Sequence, residues 1–133
     1  MATIDDVARI ARELPEVTEG ERHGTPTWFV DRKAFAWIRP FSKADIKRYG
    51  VTTPPDGPIL ALRTADLVDK EAVLSASIKG CFTIPHFDGF AAVLIQLTAV
   101  AKKALRELVV DAWLACAPPH EADNYLRRRR QLR

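Results

Sequence analysis

The segment TWFVDRKAFAWI constrains the fold more than any other stretch of the chain. Two short runs rich in aromatic and apolar residues, Trp28 to Val30 and Ala34 to Ile38, flank the three residues DRK. Such runs favour the pleated, half-buried surface of a strand. So short a connection can only reverse the chain as a hairpin, because a parallel crossover needs a much longer link. A mainly antiparallel sheet is therefore expected.

The remaining segments arrange themselves around this hairpin. Ile4, Val7, Ala8, Ala11 and Leu14 recur at helical spacing, with Thr3 as N-cap, Asp5 and Asp6 in the first turn, and Pro15 as the stop. EVTEGERHG reads as a polar loop, and residues 40–58, rich in proline and glycine, read as a long mobile connection. ILALR is a third strand, after which Thr64 or Asp66 caps a helix that ends before Lys79-Gly80. CFTI and AAVLIQL are two further strands separated by PHFDG. Residues 98–116 form a last helix with Ala101, Leu105, Leu108, Ala112 and Cys116 on its buried face. The expectation is an α+β single domain over residues 1–118, in the order α-β-β-β-α-β-β-α, with helices packed on a mainly antiparallel sheet. Residues 119–133 follow as a basic C-terminal tail.

Length and composition fit this reading. With 133 residues, 47% of them apolar and 28% charged, the chain suits one globular domain. No apolar run is long enough to span a bilayer, and MATIDDVARI lacks the pattern of a secretory signal, so a cytoplasmic protein without a membrane partner is expected. Cys81 and Cys116 are expected to be core thiols, and no zinc-type cysteine spacing occurs. The net charge of +3 is unevenly placed: residues 1–126 hold 15 basic and 17 acidic side chains, a net of −2, and the other five cations are tail arginines. Whole-chain charge is thus a poor guide to a binding face.

The stretch CFTIPHFDGF poses the sharpest chemical question. His86 and Asp88, with His23 or His120, spell two histidines and a carboxylate, the ligand set of non-haem iron sites. Such a set needs a rigid cup, which this element order does not supply. Pro85 and Asp88-Gly89 instead have the backbone habits of a hairpin loop, so no metal site is assigned. His23 lies beside Glu19 and Glu21, where a carboxylate partner would make it a proton shuttle or a loop anchor. Neither a nucleophile elbow nor a phosphate-cradling glycine motif occurs, so no catalytic residue and no cofactor are assigned.

ELPEVTEGERHGTPTWFVDRKAFAWI resembles the opening signature of the MmcQ/YjbR proteins, and CFTIPHFDGFAAVLIQL with LRELVVDAWLACAP resembles the closing half of a branch that carries PHFDG. The resemblance covers about residues 4–118. It implies a single α+β domain and a DNA-binding role ascribed to two hairpins that project like paired wings. It implies no catalytic residues, cofactor or substrate.

Two functional readings follow, with a protein-interaction role as a third. The first is binding of double-stranded DNA through cationic hairpin tips. It draws on Arg32, Lys33 and Arg39, on Lys43, Lys47 and Arg48 with Tyr49 free to stack on a base, and on Arg127, Arg128, Arg129 and Arg130. The second is a small-molecule or catalytic pocket built from His23, Trp28, His86 and Asp88 with neighbouring aromatics.

Overall fold

The computed structural model describes residues 2–131. Helix α1 (Ile4–Arg12) begins in a capping box, in which the Asp6 amide donates to the Thr3 hydroxyl and the Thr3 amide donates to the Asp6 carboxylate. Its apolar stripe, including Val7, Ile10 and Ala11, is buried. Three strands follow: β1 (Val17–Arg22), β2 (Thr25–Val30) and β3 (Lys33–Ile38). They are joined by two-residue turns, His23-Gly24 with φ of 54° and 77°, and Asp31-Arg32 with φ of 51° and 64°. Paired positive φ values give the turn twist that matches a right-handed hairpin.

Strand β1 corrects the loop expected at EVTEGERHG. Five of its six residues are exposed, because it is an edge strand whose only sheet neighbour is β2. Without a buried face it needs no apolar alternation, so its sequence carries none.

Residues 40–58, expected to be a mobile connection, also differ. They contain helix α2 (Lys43–Tyr49), started by a second capping box between Ser42 and Asp45. Phe41 and Tyr49 bracket the helix, pack at 5.8 Å centroid separation, and fasten it to the sheet. The prolines and lysines nearby obscure this in the sequence.

Strand β4 (Ile59–Arg63) leads to α3 (Leu67–Ser75), capped by Asp66. Strand β5 (Cys81–Phe82) is shorter than CFTI suggests, because a single 3-10 turn at Pro85–Phe87 takes over. Strand β6 (Ala92–Gln96) and helix α4 (Lys102–Cys116) complete the body. The sheet order is β1-β2-β3-β4-β6-β5, and every pairing is antiparallel. The α+β class is as expected, with six strands and five helices among the described residues where five and three were expected.

The sheet has two different faces. Helices α1 and α4 cover one and build the larger core, where Trp113, Phe35, Leu60, Leu62 and Ile95 are fully buried. On the other face a smaller cluster joins Ile59, Ala61, Leu94 and Phe87 to Trp37, Phe41 and Tyr49. Strand β4 feeds both cores, and four of its five residues are buried.

Within the segment expected as a basic tail, residues 119–131 form helix α5 (Pro119–Gln131). Tyr125 rests on Trp113 at 5.3 Å centroid separation, which lays α5 along α4. Four adjacent arginines argue for a disordered segment by repulsion alone, but here they sit exposed on a helix held by one aromatic contact. Among the described residues no helix is long and apolar enough to cross a membrane.

Candidate functional site

The face that α1 and α4 leave open holds a cleft of about 820 Å³. It follows β3 between the two hairpin turns. Arg22, His23 and Thr25 line the end at the β1–β2 turn, and Arg32 and Lys33 line the end at the β2–β3 turn. Trp37, Arg39 and Arg63 come from the sheet between them, and His86, Phe87 and Phe90 form the wall.

That wall is built by local backbone chemistry. Pro85–Phe87 is one 3-10 turn, and Gly89 takes a positive φ of 75° that lets the chain return to β6. Lys70 on α3, buried to 7% exposure, reaches beneath the loop and donates to the Phe87 carbonyl at 2.6 Å and the Phe90 carbonyl at 2.8 Å. Burial pulls the Lys70 ammonium below its ordinary pKa, and the charge of Asp88 partly opposes that shift. Phe87 and Phe90 meet edge to face at 5.5 Å, so one lysine and one aromatic pair set the loop's shape.

The cleft cations are held in different ways. Arg39 is paired with Asp45 at 3.0 Å, lies 5.7 Å over the Phe87 ring and also donates to the Pro40 carbonyl. Burial of Asp45 pushes its carboxyl pKa up, but hydrogen bonds from Ser42 and the Arg39 charge outweigh it and hold the group below the ordinary value. Arg22 lies 5.8 Å over Phe29 at the open edge. Arg63 ends β4, lies 5.3 Å over Phe90, and has a buried Nε with no hydrogen-bond partner. Arg32 and Lys33 are exposed at the hairpin tip.

The structure therefore merges the two functional readings. His23 and His86 line the same cleft as Arg32, Lys33 and Arg39. Trp28 does not belong there: it is 3% exposed and buried in the core against α1 and α4. A register shift between Trp28 and Phe29 sets which way these neighbours face, and nothing in the sequence announces it. Asp88 lies outside the cleft and bears on Lys70 instead. Tyr49 is not free to stack on a base, because it is half-buried against Phe41. Lys43, Lys47 and Arg48 lie on the exposed side of α2, where Arg48 is 3.9 Å from Asp45. Arg127 to Arg130 ride on α5, whose partner α4 covers the opposite sheet face.

Sequence reasoning missed Arg22 and Arg63. For Arg63 a signal exists: a single charge closing the apolar run ILALR shares its face with Ile59 and Ala61, the face of the smaller core. The two thiols are inert by environment. Burial pushes Cys81 up to about 11 and raises Cys116 as well.

The YjbR family pattern matches residues 12–115 of the chain. The uncharacterized proteins Rv2570 of Mycobacterium tuberculosis and Mb2600 of Mycobacterium bovis are each 41% identical to it over 129 residues, spanning 95% of this chain and 97% of theirs. No solved structure matches it.

Proposed function

The chain belongs to the YjbR family, and from that premise we propose that it binds nucleic acid through the cleft between its two hairpin turns. The observation that carries this reading is charge segregation. Five cations, Arg22, Arg32, Lys33, Arg39 and Arg63, line the cleft without one carboxylate among them. They do so in a body, residues 1–126, whose net charge is −2. Such a surface attracts phosphates at long range and fixes them at short range.

Each part has a role in that reading. Arg32 and Lys33, at the exposed tip, meet the phosphate backbone and position the strand. Trp37 and Phe90 offer π-faces, and stacking on such platforms tolerates any base. The α5 arginines add a sequence-independent attraction from the other side of the molecule. The hollow's size and aromatic lining also suit a small anionic ligand, which would compete for the same surface.

Fluorescence anisotropy with single-stranded and duplex oligonucleotides across a salt series tests the proposal. The double substitution Arg32→Ala, Lys33→Ala is expected to weaken binding equally for all sequences and to lower the salt slope by roughly 1.5 to 2 units. Unchanged affinity and slope in that double variant would remove the cleft from the binding surface.

A further inference from the structure

Among the cations of the cleft, Arg63 stands apart. It ends the central strand β4 and pairs there with Ala92 of β6. Its side chain is half-buried, yet among the described residues no carboxylate lies within ion-pair distance of it, whereas Arg39 at the same face has Asp45. Its Nε is buried without an acceptor. Asp69 and Asp111 share a second hollow with Arg63 without pairing to it, so a half-buried cation with no carboxylate in ion-pair contact gains from an anion docking beside it. Arg63 also lies 5.3 Å over the Phe90 ring, and a guanidinium is the group that recognises phosphate oxygens in a fork.

The surroundings of Arg63 define the rest of the ligand. Trp37 and Phe90 lie with ring centroids 6.3 Å apart and tilted by 48°, so the floor beside the guanidinium is aromatic and apolar. Phe90 is 39% exposed and lines the cleft, so part of its ring is open to a ligand. The cleft, at about 820 Å³, falls within the range of roughly 300 to 1,000 Å³ typical of small-ligand sites. Its volume suffices for a ring and its phosphate together.

We propose that the cleft is a nucleotide-end site, in which a planar base lies against Trp37 and Phe90 and a phosphomonoester is held by Arg63. A monoester suits Arg63 better than a backbone diester, because it carries up to two negative charges and three terminal oxygens. The same chemistry has two sources, the 5′-phosphorylated end of a nucleic-acid strand and a free nucleoside monophosphate. The inference rests on the cleft being the anion-binding surface described above.

The test compares a 5′-phosphorylated single-stranded oligonucleotide with its 5′-hydroxyl twin, and adenosine monophosphate with adenosine, by anisotropy and by titration calorimetry. Expected for the full chain is a preference for the phosphorylated member of each pair of about tenfold or more. Arg63→Met is expected to erase that preference: it weakens the hydroxyl oligonucleotide by the loss of one cleft cation, and the phosphorylated twin by about tenfold more, and Arg63→Gln serves the same comparison if the methionine variant does not fold. Trp37→Leu is expected to weaken both members of a pair and keep their ratio. Equal binding of phosphorylated and hydroxyl oligonucleotides overturns the nucleotide-end site and leaves nucleic-acid binding standing. A preference that survives in a folded Arg63 variant overturns the role of Arg63. Binding of adenosine monophosphate alone, with neither oligonucleotide bound, supports the site, identifies the free nucleotide as its source, and rejects the nucleic-acid reading. No binding of any of the four probes overturns both.

Discussion

Lys70 on α3 holds the carbonyl of Phe87 at 2.6 Å, from 17 residues away in the chain, and so fixes the wall of the cleft from beneath. The same ammonium holds the Phe90 carbonyl at 2.8 Å. Lys70→Met keeps the stem and removes both bonds, leaving two carbonyls without their donor. The expected loss is about 2 to 3 kcal/mol in urea unfolding. Ligand affinity at the cleft should fall as well, because Phe90 loses its support.

Asp45 makes stability depend on acid. Its carboxyl pKa is depressed below the ordinary 3.8 in the folded chain. A carboxyl depressed on folding contributes stability that is present above the unfolded value and lost as pH falls through the folded one. Thermal melts between pH 5 and pH 2 should therefore show a steeper loss of Tm in the parent chain than in Asp45→Asn. Asp6, also depressed, remains as a shared background in both. At neutral pH the asparagine variant should already be less stable by about 2 kcal/mol, because Arg39 loses its buried counter-charge.

Tyr49 separates packing from base stacking. Tyr49→Phe keeps the ring against Phe41 and should leave both stability and oligonucleotide affinity unchanged. Tyr49→Ala should cost about 1 to 2 kcal/mol in unfolding, since a half-buried ring is lost beneath α2. An affinity loss in the phenylalanine variant would show that the hydroxyl meets the ligand.

Helix α5 should act on nucleic acid through charge alone. A chain stopped after Leu126 keeps Tyr125 on Trp113 and loses every arginine beyond it. Its salt slope should be lower by at most roughly 4.5 units, about 0.9 for each of the five arginines removed, while competition by adenosine monophosphate at the cleft stays the same. Titrations of the two chains at several salt concentrations measure both quantities.

What the sequence made legible was whatever carries a periodic or punctuated pattern. The Trp28–Val30 and Ala34–Ile38 strands, the α1 stripe and the α4 face all bury one side, and burial writes a period into the sequence. Strand β1 buries almost nothing and pairs along one edge, so it writes no period. Helix α2 is fixed by two aromatics and a capping box, signals that composition hides. In the cleft, Arg32, Lys33, Arg39, His23 and His86 were nameable as charged or titratable residues near turns. That they share one hollow depends on the sheet's twist and on long-range pairing, and a single chain read in order does not contain either. The bulge at Trp28/Phe29 decides which tryptophan faces the cleft, and Trp37 takes the place that Trp28 was expected to hold.

Strand β4 lies between β3 and β6, with Leu60 to Leu62 paired on both edges and the residues from Ile59 to Leu62 buried. Hydrogen exchange there requires the whole domain to open, whereas the exposed turns at His23 and Arg32 exchange through local fraying. Arg63 thus follows directly on the stretch expected to exchange most slowly, while the two turns that flank it are expected to exchange fast. A ligand entering the cleft would meet one fixed charge at the floor and two tips free to settle around it. Protection gained on binding should accordingly appear at the tips, with β4 already at its ceiling.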